Sequence, residues 1–415
     1  MSTIPPLPVV ATGPHAARWL AQARRSSPTL NLFTDRRHYL PEHRRLLVHL
    51  LRPVWEAAEA EPSAGSCRIV SAPEQADVVV LPMTWHYYVE HGRLQQALAL
   101  GATARAAGKP LLVFAAGDCE PVVPIDNAVV LHPGPNRRAR PTAARSLAVP
   151  SFVPDLRALY YPGPPVYREK QPRPVVGFCG YATTPTHRLA LATLRNLADN
   201  VRYAVGALSV VPPPVVPAVV LRGRVLRALR ANPAIDDRFV IRDDYRAGLR
   251  DAAERADPRH PTRMEFVRAI HDCDYTVCIR GGGNFSLRLY ETLALGRIPI
   301  FVDTDSMLPY DFLFDWRRYC CWIDEHEVDR VADKVAAFHA SLSPSEFRER
   351  QQACRWLWEE WLSTEGFRRH FDQYVAHSGG FEADASDNLF PGPPIVSSPV
   401  GATQGPGEAP PSIRR

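Results

Sequence analysis

The sequence lacks the cysteine patterns of metal-bound and disulfide-stabilised proteins. It has eight cysteines in 415 residues but no C-x-x-C pair, and two of them, Cys320 and Cys321, are adjacent. A zinc site usually needs two close pairs of ligands, and disulfide frameworks are typical of much shorter chains. We therefore expect no structural metal, and reduced buried thiols such as Cys278, which lies in an apolar run.

The sequence also lacks an export signal and a membrane-spanning run. Its first residues, MSTIPPLPVVATGPHAARWL, contain no basic segment followed by an apolar core. The longest apolar stretch, 203–221, contains four prolines, and prolines remove backbone donors and break helices. We expect a cytoplasmic protein with no transmembrane segment, which leaves open a peripheral contact with a membrane surface.

There is little excess charge of either sign. Lysine and arginine number 49 against 44 acidic residues, a net charge of +5. Nucleic-acid binders usually present a clustered basic face, so we expect no nucleic-acid partner. A mildly basic chain does suit a protein that holds one anionic ligand. The 46% hydrophobic content is near the average for globular proteins and is enough for a sizeable core.

Proline, by contrast, is abundant, with 41 residues in 415. A proline-rich stretch resists helix and central strand alike, so 151–174 is predicted to be an interdomain linker. It would separate an N-terminal acceptor domain, 1–150, from a C-terminal domain, 175–344. Helices over 345–378 are predicted to pack back on the N-terminal domain. The Gly-, Pro- and Ser-rich tail, 379–415, is predicted to be disordered.

Short apolar runs alternate with helical patterns along the chain. This alternation of strands and helices is typical of parallel sheets that are covered by helices on both faces. The predicted strands are 77–81, 111–116, 128–131, 175–179, 238–242, 275–279 and 298–302. The predicted helices are 94–107, 186–198, 262–271, 287–295 and a tryptophan-rich stretch over 345–375. Thr262 and Glu265 have the spacing of a capping box at the start of the third helix. The fold class is therefore α/β, with two Rossmann-like domains facing a cleft.

For two segments we prefer a structural interpretation to a functional one. Trp356, Trp358 and Trp361 could form a carbohydrate platform, but aromatic residues at helical spacing usually belong to a core. The segment 36–50, RRHYLPEHRRLLVHL, is predicted to be a basic solvated helix. Its surface could contact an acceptor or anionic lipid.

The most informative segment is 275–305, a predicted strand, glycine loop, helix and strand. Ligands of open α/β sheets bind beyond the carboxyl ends of the strands, where Arg280-Gly281-Gly282-Gly283-Asn284 lies. The glycines would permit positive φ angles and let backbone amides approach a ligand. Ser286 would cap the following helix, whose N-terminus favours anions. With Arg280 and Arg288, these parts predict a diphosphate site.

Arg288 and Glu291 are three residues apart and lie on one helix face. A carboxylate beside a diphosphate is useful if it faces a ribose diol, since it accepts two hydroxyl hydrogen bonds. The alternative is an Arg–Glu pair that stabilises a surface helix. The spacing alone does not choose between them.

The segment resembles the exostosin domain, glycosyltransferase family 47. The features that carry the resemblance are an apolar strand, Arg280-Gly281, Ser286-x-Arg288, Glu291, Gly296, Ile298-Pro299-Ile300 and Asp303. The match is good over 264–305 and weaker over 30–340. We expect a bacterial member of this family.

The resemblance implies a GT-B type fold with the nucleotide sugar, a UDP-sugar by expectation, in the C-terminal domain. It implies transfer with inversion to a glycan, glycolipid or other hydroxyl acceptor. It assigns Arg280 and Arg288 to the diphosphate and Glu291 to the ribose.

A metal is not expected to be required. Asp303-Thr304-Asp305 is a D-x-D sequence, which in single-domain sugar transferases binds a divalent metal with the diphosphate. Here it follows a strand, and Arg280 and Arg288 already supply positive charge. Mn²⁺ or Mg²⁺ on these hard oxygen ligands is the alternative.

An inverting transfer needs a general base, which we expect on the N-terminal domain. Asp118 follows the strand 111–116, and His86 follows the end of the strand 77–81. Asp155 is a third candidate. For each of them, an ordinary polar loop residue is the alternative.

Two other functions compete with sugar transfer. A non-catalytic nucleotide-sugar or glycan-binding protein would keep the fold without a base. A nicotinamide-dependent oxidoreductase is disfavoured because G-x-G-x-x-G is missing: Gly177-Phe178-Cys179-Gly180 supplies only two glycines.

Overall fold

The computed structural model describes residues 30–52, 67–137, 145–182, 186–244 and 257–378. The tail predicted over 379–415 lies outside the described residues. The described chain is mixed α/β, with two parallel sheets in one compact unit. The predicted fold class, two Rossmann-like α/β halves, is confirmed.

The strands are short and mostly buried. In chain order they are β1 Leu30–Phe33, β2 Cys67–Ile69, β3 Val78–Val80, β4 Leu111–Phe114, β5 Glu120–Pro121, β6 Ala128–His132, β7 Arg145–Ala148, β8 Val175–Tyr181, β9 Val210–Val211, β10 Asp236–Arg242, β11 Tyr275–Cys278, β12 Ile298–Asp303 and β13 Cys321–Asp324. The helices are α1 Trp85–Glu90, α2 Leu94–Ala106, α3 Leu156–Tyr160, α4 Thr186–Ala204, α5 Ala218–Ala231, α6 Pro261–His271, α7 Leu287–Ala294, α8 Val331–Ser341, α9 Pro344–Leu357, α10 Thr364–Arg369 and α11 Phe371–Ser378, with a π-helical turn, Trp358–Leu362, after α9.

Each sheet is parallel throughout. The first has the order β2-β1-β3-β4-β6-β7 and the second β10-β8-β11-β12-β13. Every residue of β3, β4, β6 and β11 is buried, as expected for strands that helices cover on both faces. We call 30–148 the N-terminal lobe and 175–341 the C-terminal lobe. A two-residue antiparallel ribbon, β5 with β9, joins them.

Helices α9 to α11 contact both lobes, and in the C-terminal lobe the Arg355 guanidinium of α9 donates to the Ala294 carbonyl. Tyr374 donates a hydrogen bond to the Ala148 carbonyl at 2.7 Å, and Phe371 stacks on Phe114 of β4 at 6.4 Å between ring centroids. Trp358 and Trp361 are both buried, and neither offers the exposed ring face that a carbohydrate platform needs.

The basic segment 36–50 is not the solvated helix that the sequence predicts. It forms two short 3₁₀ turns, Arg36–His38 and Pro41–Leu46. Pro41 prevents one continuous helix from running through both turns. His38 is buried, with Nδ1 3.1 Å from the Tyr88 hydroxyl. Burial and the neighbouring Arg52 lower the pKa of His49 to about 4. The histidines therefore belong to the packing of the N-terminal lobe.

Two expectations of local secondary structure were wrong, while the division into domains and a linker stays a prediction. The proline-rich stretch 151–174 contains helix α3, because the residues between Pro154 and Pro162 include no proline. Asp155 caps α3 by accepting from two backbone amides. Helix α6 begins at Pro261 and has His260, not Thr262, as its N-cap.

Candidate functional site

Arg280 is a buried cation at the carboxyl end of β11. Only 3% of the residue is exposed, and its guanidinium donates to the Val216 carbonyl. Within the described residues, Nε has no hydrogen-bond partner and no carboxylate lies within 4.0 Å of the guanidinium. Burial lowers its pKa to about 10, against the opposing charge of Glu325. A buried charge without a close counterion is costly, so this position favours an anionic ligand.

Arg288, in the first turn of α7, is a second arginine without a close carboxylate among the described residues, and it is partly buried. It donates to the Cys179 carbonyl at 2.6 Å and lies over the Phe178 ring at 4.4 Å from its centroid. Nε has no partner among the described residues, and burial lowers the pKa of the guanidinium. Gly180 leaves room for this side chain, since a Cβ there would lie 3.0 Å from Nη2. Both arginines thus adjoin the strand ends of the second sheet.

Glu291 follows on α7, and its described partner is not Arg288. Its Oε1 accepts from both terminal nitrogens of Arg263, on α6, at 3.3 Å each. Burial raises the pKa of Glu291, while Arg263 and then Arg288 act to lower it. The Arg288–Glu291 surface pair is therefore not formed. No donor among the described residues bonds Oε2.

The glycine loop does not use the backbone freedom that the sequence suggested. Gly281, Gly282 and Gly283 all lie outside the left-handed region, so the expectation of positive φ was wrong. Gly282 and Gly283 instead approach the N-terminal lobe closely. A Cβ on Gly282 would lie 2.4 Å from Oδ2 of Asp118, and one on Gly283 would lie 2.5 Å from the Asp118 carbonyl.

Asn284 ties this loop to both lobes. Its Nδ2 donates to Oδ1 of Asn136 at 2.7 Å, and its Oδ1 accepts from the Thr304 hydroxyl at 2.7 Å. Asn136 in turn donates to Glu120 through its backbone and side-chain nitrogens, at 3.0 and 3.3 Å. Ser286 occupies the N-cap position of α7, but its side chain makes no capping hydrogen bond. The loop is therefore positioned by tertiary contacts more than by its own cap.

The two base candidates lie together at the strand ends of the first sheet. Asp118 is exposed and lies against the glycine loop. His86, on α1, has Nε2 3.8 Å from the place where a Cβ on Gly117 would be. Its buried Nδ1 has no partner among the described residues. Asp155, the third candidate, caps α3 and forms a double hydrogen bond with Arg355, at 2.9 and 2.7 Å. These contacts explain the residue by a structural role.

His132 is a neighbour that the sequence analysis missed. It ends β6, is fully buried, and accepts a hydrogen bond from the Gly134 amide on Nδ1 at 3.2 Å. Burial and the nearby His86 lower its pKa to about 4, so the ring is neutral. Its edge faces Phe285 of the glycine loop. A histidine directly before Pro-Gly-Pro at a strand end was the available signal.

The D-x-D sequence faces an arginine of the other lobe. Asp303 accepts from Arg137 at 3.2 Å, and Asp305 lies 4.0 Å from the same nitrogen. A cavity of about 270 Å³ opens beside them. Among the described residues, no group of three or more His, Cys, Asp or Glu side chains could hold a metal. The expectation about metal stays a prediction.

No helix in the described part of the chain has the length and apolar character that crossing a membrane requires.

No family model matches the chain. The solved structures that resemble it are loose matches. HepE from Anabaena, in complex with UDP and glucose, aligns over 84% of this chain and 100% of that one, with 12% identity and a TM-score of 0.32. A UDP-forming trehalose-phosphate synthase from Burkholderia xenovorans covers 74% and 75%, with 10% identity and a TM-score of 0.30. Scores this low carry no argument about the site.

Similarity in sequence is confined to part of the chain. Exostosin-1 of Drosophila melanogaster is 28% identical over 116 residues, which make up 28% of this chain and 15% of that protein. Human Exostosin-2 is 21% identical over 101 residues, 24% of this chain and 14% of that protein. The chain thus spans about one seventh of these relatives. Over that part of its length, the chain has an exostosin-like relationship.

Proposed function

We propose that the protein is a glycosyltransferase that moves a sugar, with inversion, from a nucleoside-diphosphate sugar to a hydroxyl acceptor. The observation that carries the proposal is a pair of arginines, the buried Arg280 and the partly buried Arg288, without a close carboxylate among the described residues. They adjoin the carboxyl ends of parallel strands, beside a glycine loop and a helix N-terminus, where such sheets bind phosphates. The exostosin-like similarity supports the same activity.

In this proposal the two arginines meet the diphosphate, and amides of Gly282–Asn284 add hydrogen bonds, while Gly281 shapes the loop by donating its amide to the Phe285 carbonyl at 2.9 Å. Glu291 accepts from the ribose diol through Oε2, while Arg263 holds Oε1. A UDP-sugar is the proposed donor. A glycan or glycolipid is the proposed acceptor.

The acceptor oxygen bonds the anomeric carbon on the face opposite the diphosphate. The bond from that carbon to the diphosphate oxygen breaks, and its electron pair leaves with the diphosphate. Asp118 takes the acceptor proton, with His86 as the alternative base. Arg280 and Arg288 stabilise the negative charge that develops on the leaving diphosphate.

The test compares two equally buried arginines. Arg297 is 1% exposed, but it donates to carbonyls, among them that of His271 at 2.8 Å, so its role is structural. UDP should raise the melting temperature of the wild type. Arg280→Lys should abolish that rise, whereas Arg297→Lys should lower the baseline and keep the rise. If UDP, GDP and their sugars all leave the wild-type melting curve unmoved, the proposal is wrong.

Turnover separates an enzyme from a binding protein. Incubation with UDP-sugars and hydroxyl acceptors should release UDP, and NMR of the product should show the opposite anomeric configuration to the donor. Binding without release of UDP under any of these conditions would favour a non-catalytic nucleotide-sugar-binding protein.

A further inference from the structure

Helix α4 carries an apolar stripe that nothing in the described chain covers. Its members are between 48% and 71% exposed, whereas most leucines and valines of this chain are buried. They are Leu191, Leu194, Leu197 and Val201 on the helix and Val205 directly after it. Spacings of three and four residues place these side chains on one face. We call them the α4 stripe.

The opposite face fixes the orientation of the helix. Asn196 donates to the Pro214 carbonyl at 3.1 Å, and Asn200 donates to the Pro213 carbonyl at 2.9 Å. These contacts anchor α4 on the following segment. The stripe therefore faces outward because the helix is held from its other side.

A row of arginines runs beside the stripe. Arg188, Arg195 and Arg202 recur every seven residues, so they share one edge of the helix, next to the apolar face. All three are exposed. One carboxylate, Asp199, accompanies them, 4.0 Å from Arg195 and 3.4 Å from Arg202. The edge keeps a net positive charge.

The anchored face of α4 leads toward the proposed donor site. The segment that anchors α4 continues to Val216, which is 40% exposed and whose carbonyl accepts from Arg280. A surface bound to the α4 stripe would thus be separated from this arginine by the helix and the anchoring segment.

From this arrangement we propose that α4 lies in the interface of an anionic lipid bilayer. The α4 stripe enters the boundary between headgroups and acyl chains, and the three arginines contact lipid phosphates, as basic amphipathic helices do. A second copy of the chain fits less well, because it would bring the same arginine row. Among the described residues, the one carboxylate on this edge, Asp199, already lies beside Arg195 and Arg202. The inference does not depend on the proposed sugar transfer. It places the membrane contact on α4 and not on the segment 36–50, which forms no amphipathic helix.

The test is flotation of the full chain with vesicles. Vesicles of phosphatidylcholine with about one third phosphatidylglycerol should carry the protein upward, and vesicles of phosphatidylcholine alone should carry much less. Leu191→Ser with Leu194→Ser should reduce partitioning at least about tenfold, because two apolar anchors are lost. Replacing Arg188, Arg195 and Arg202 by glutamine should reduce binding to the anionic vesicles by roughly fivefold per residue, and salt should weaken the wild type similarly.

The matched control removes equal apolar surface elsewhere. Leu159 and Val166 are 57% and 68% exposed and lie outside α4. Leu159→Ser with Val166→Ser should float like the wild type, and melting curves should show both double variants folded. Equal flotation of the two double variants would overturn the proposal. So would absence of flotation, or a dimer in light scattering that only the stripe variant dissociates.

Discussion

The two lobes present different chemistry at corresponding strand ends. In the N-terminal lobe, His86, Asp118 and His132 gather around β4 and β6, and they can accept or hold a proton. In the C-terminal lobe, Arg280 follows β11 and Arg288 of α7 donates to the Cys179 carbonyl of β8, and both side chains are suited to hold negative charge. The glycine loop is the point of contact between the two groups. In the proposed function, the same α/β architecture thus places proton acceptors on one side and anion-binding cations on the other, because loops beyond the strand ends supply both groups.

The largest expected effect comes from the proton-accepting side. Asp118→Asn should lower kcat by about a hundredfold to ten-thousandfold, the usual contribution of a general base. The melting temperature should change little, since Asp118 is exposed. Steady-state kinetics of Asp118→Asn and His86→Gln, measured side by side, identifies the base. If only the histidine variant loses turnover, His86 is the base, and if neither does, the contrast between the lobes fails.

The anion-binding side is tested at Arg288. Arg288→Ala should lower kcat on the order of a hundredfold to a thousandfold, because a contact to developing charge is lost. Lysine should restore part of the rate, since it keeps the charge but not the planar guanidinium. The control is Arg224→Ala, an exposed arginine of the same lobe that pairs with Asp329 at 2.7 Å. Equal turnover of the two alanine variants would argue against the diphosphate assignment.

A third effect appears in stability against pH. His132 is fully buried, and its pKa falls from 6.5 to about 4 on folding. The unfolded chain therefore binds more protons between these pH values, so stability is full above pH 6.5 and is lost as pH falls toward 4. The loss attributable to this residue is on the order of 3 kcal/mol. Denaturant unfolding at pH 7 and pH 4.5 should show a smaller difference for His132→Gln than for the wild type.

The smallest effect concerns the contact between the lobes, and neighbouring glycines supply the control. A Cβ on Gly283 would meet the Asp118 backbone at 2.5 Å, whereas on Gly281 the nearest atom is 3.8 Å away. Gly283→Ala should cost about 1–3 kcal/mol of stability, as overpacking does, and should lower activity by displacing the loop. Gly281→Ala should stay close to the wild type. If both variants behave alike in unfolding and kinetics, close approach is not why Gly283 is a glycine.

Much of the fold follows from local pattern. Continuous apolar runs such as β4 and β6 identify buried parallel strands, because both faces of such strands are covered. The strand–loop–helix order around Arg280 also predicted that this residue and Arg288 belong to one connected unit, with Arg280 after the strand and Arg288 in the first turn of the helix. Local signals failed where packing outweighed them. The segment 36–50 looks basic and exposed, yet His38 is buried against Tyr88, fifty residues away.

Residues close along the chain were enough to predict the α/β class, the position of the glycine loop and the two arginines that flank it. Tertiary packing sets the contacts that local pattern does not show: Glu291 pairs with Arg263, Asn284 bonds Asn136, and Arg137 faces the D-x-D sequence. It also decided why the loop is made of glycine, since the atoms that exclude a Cβ belong to Asp118, in the other lobe. Contacts of this kind depend on how the two lobes meet, and no spacing within either segment encodes that meeting.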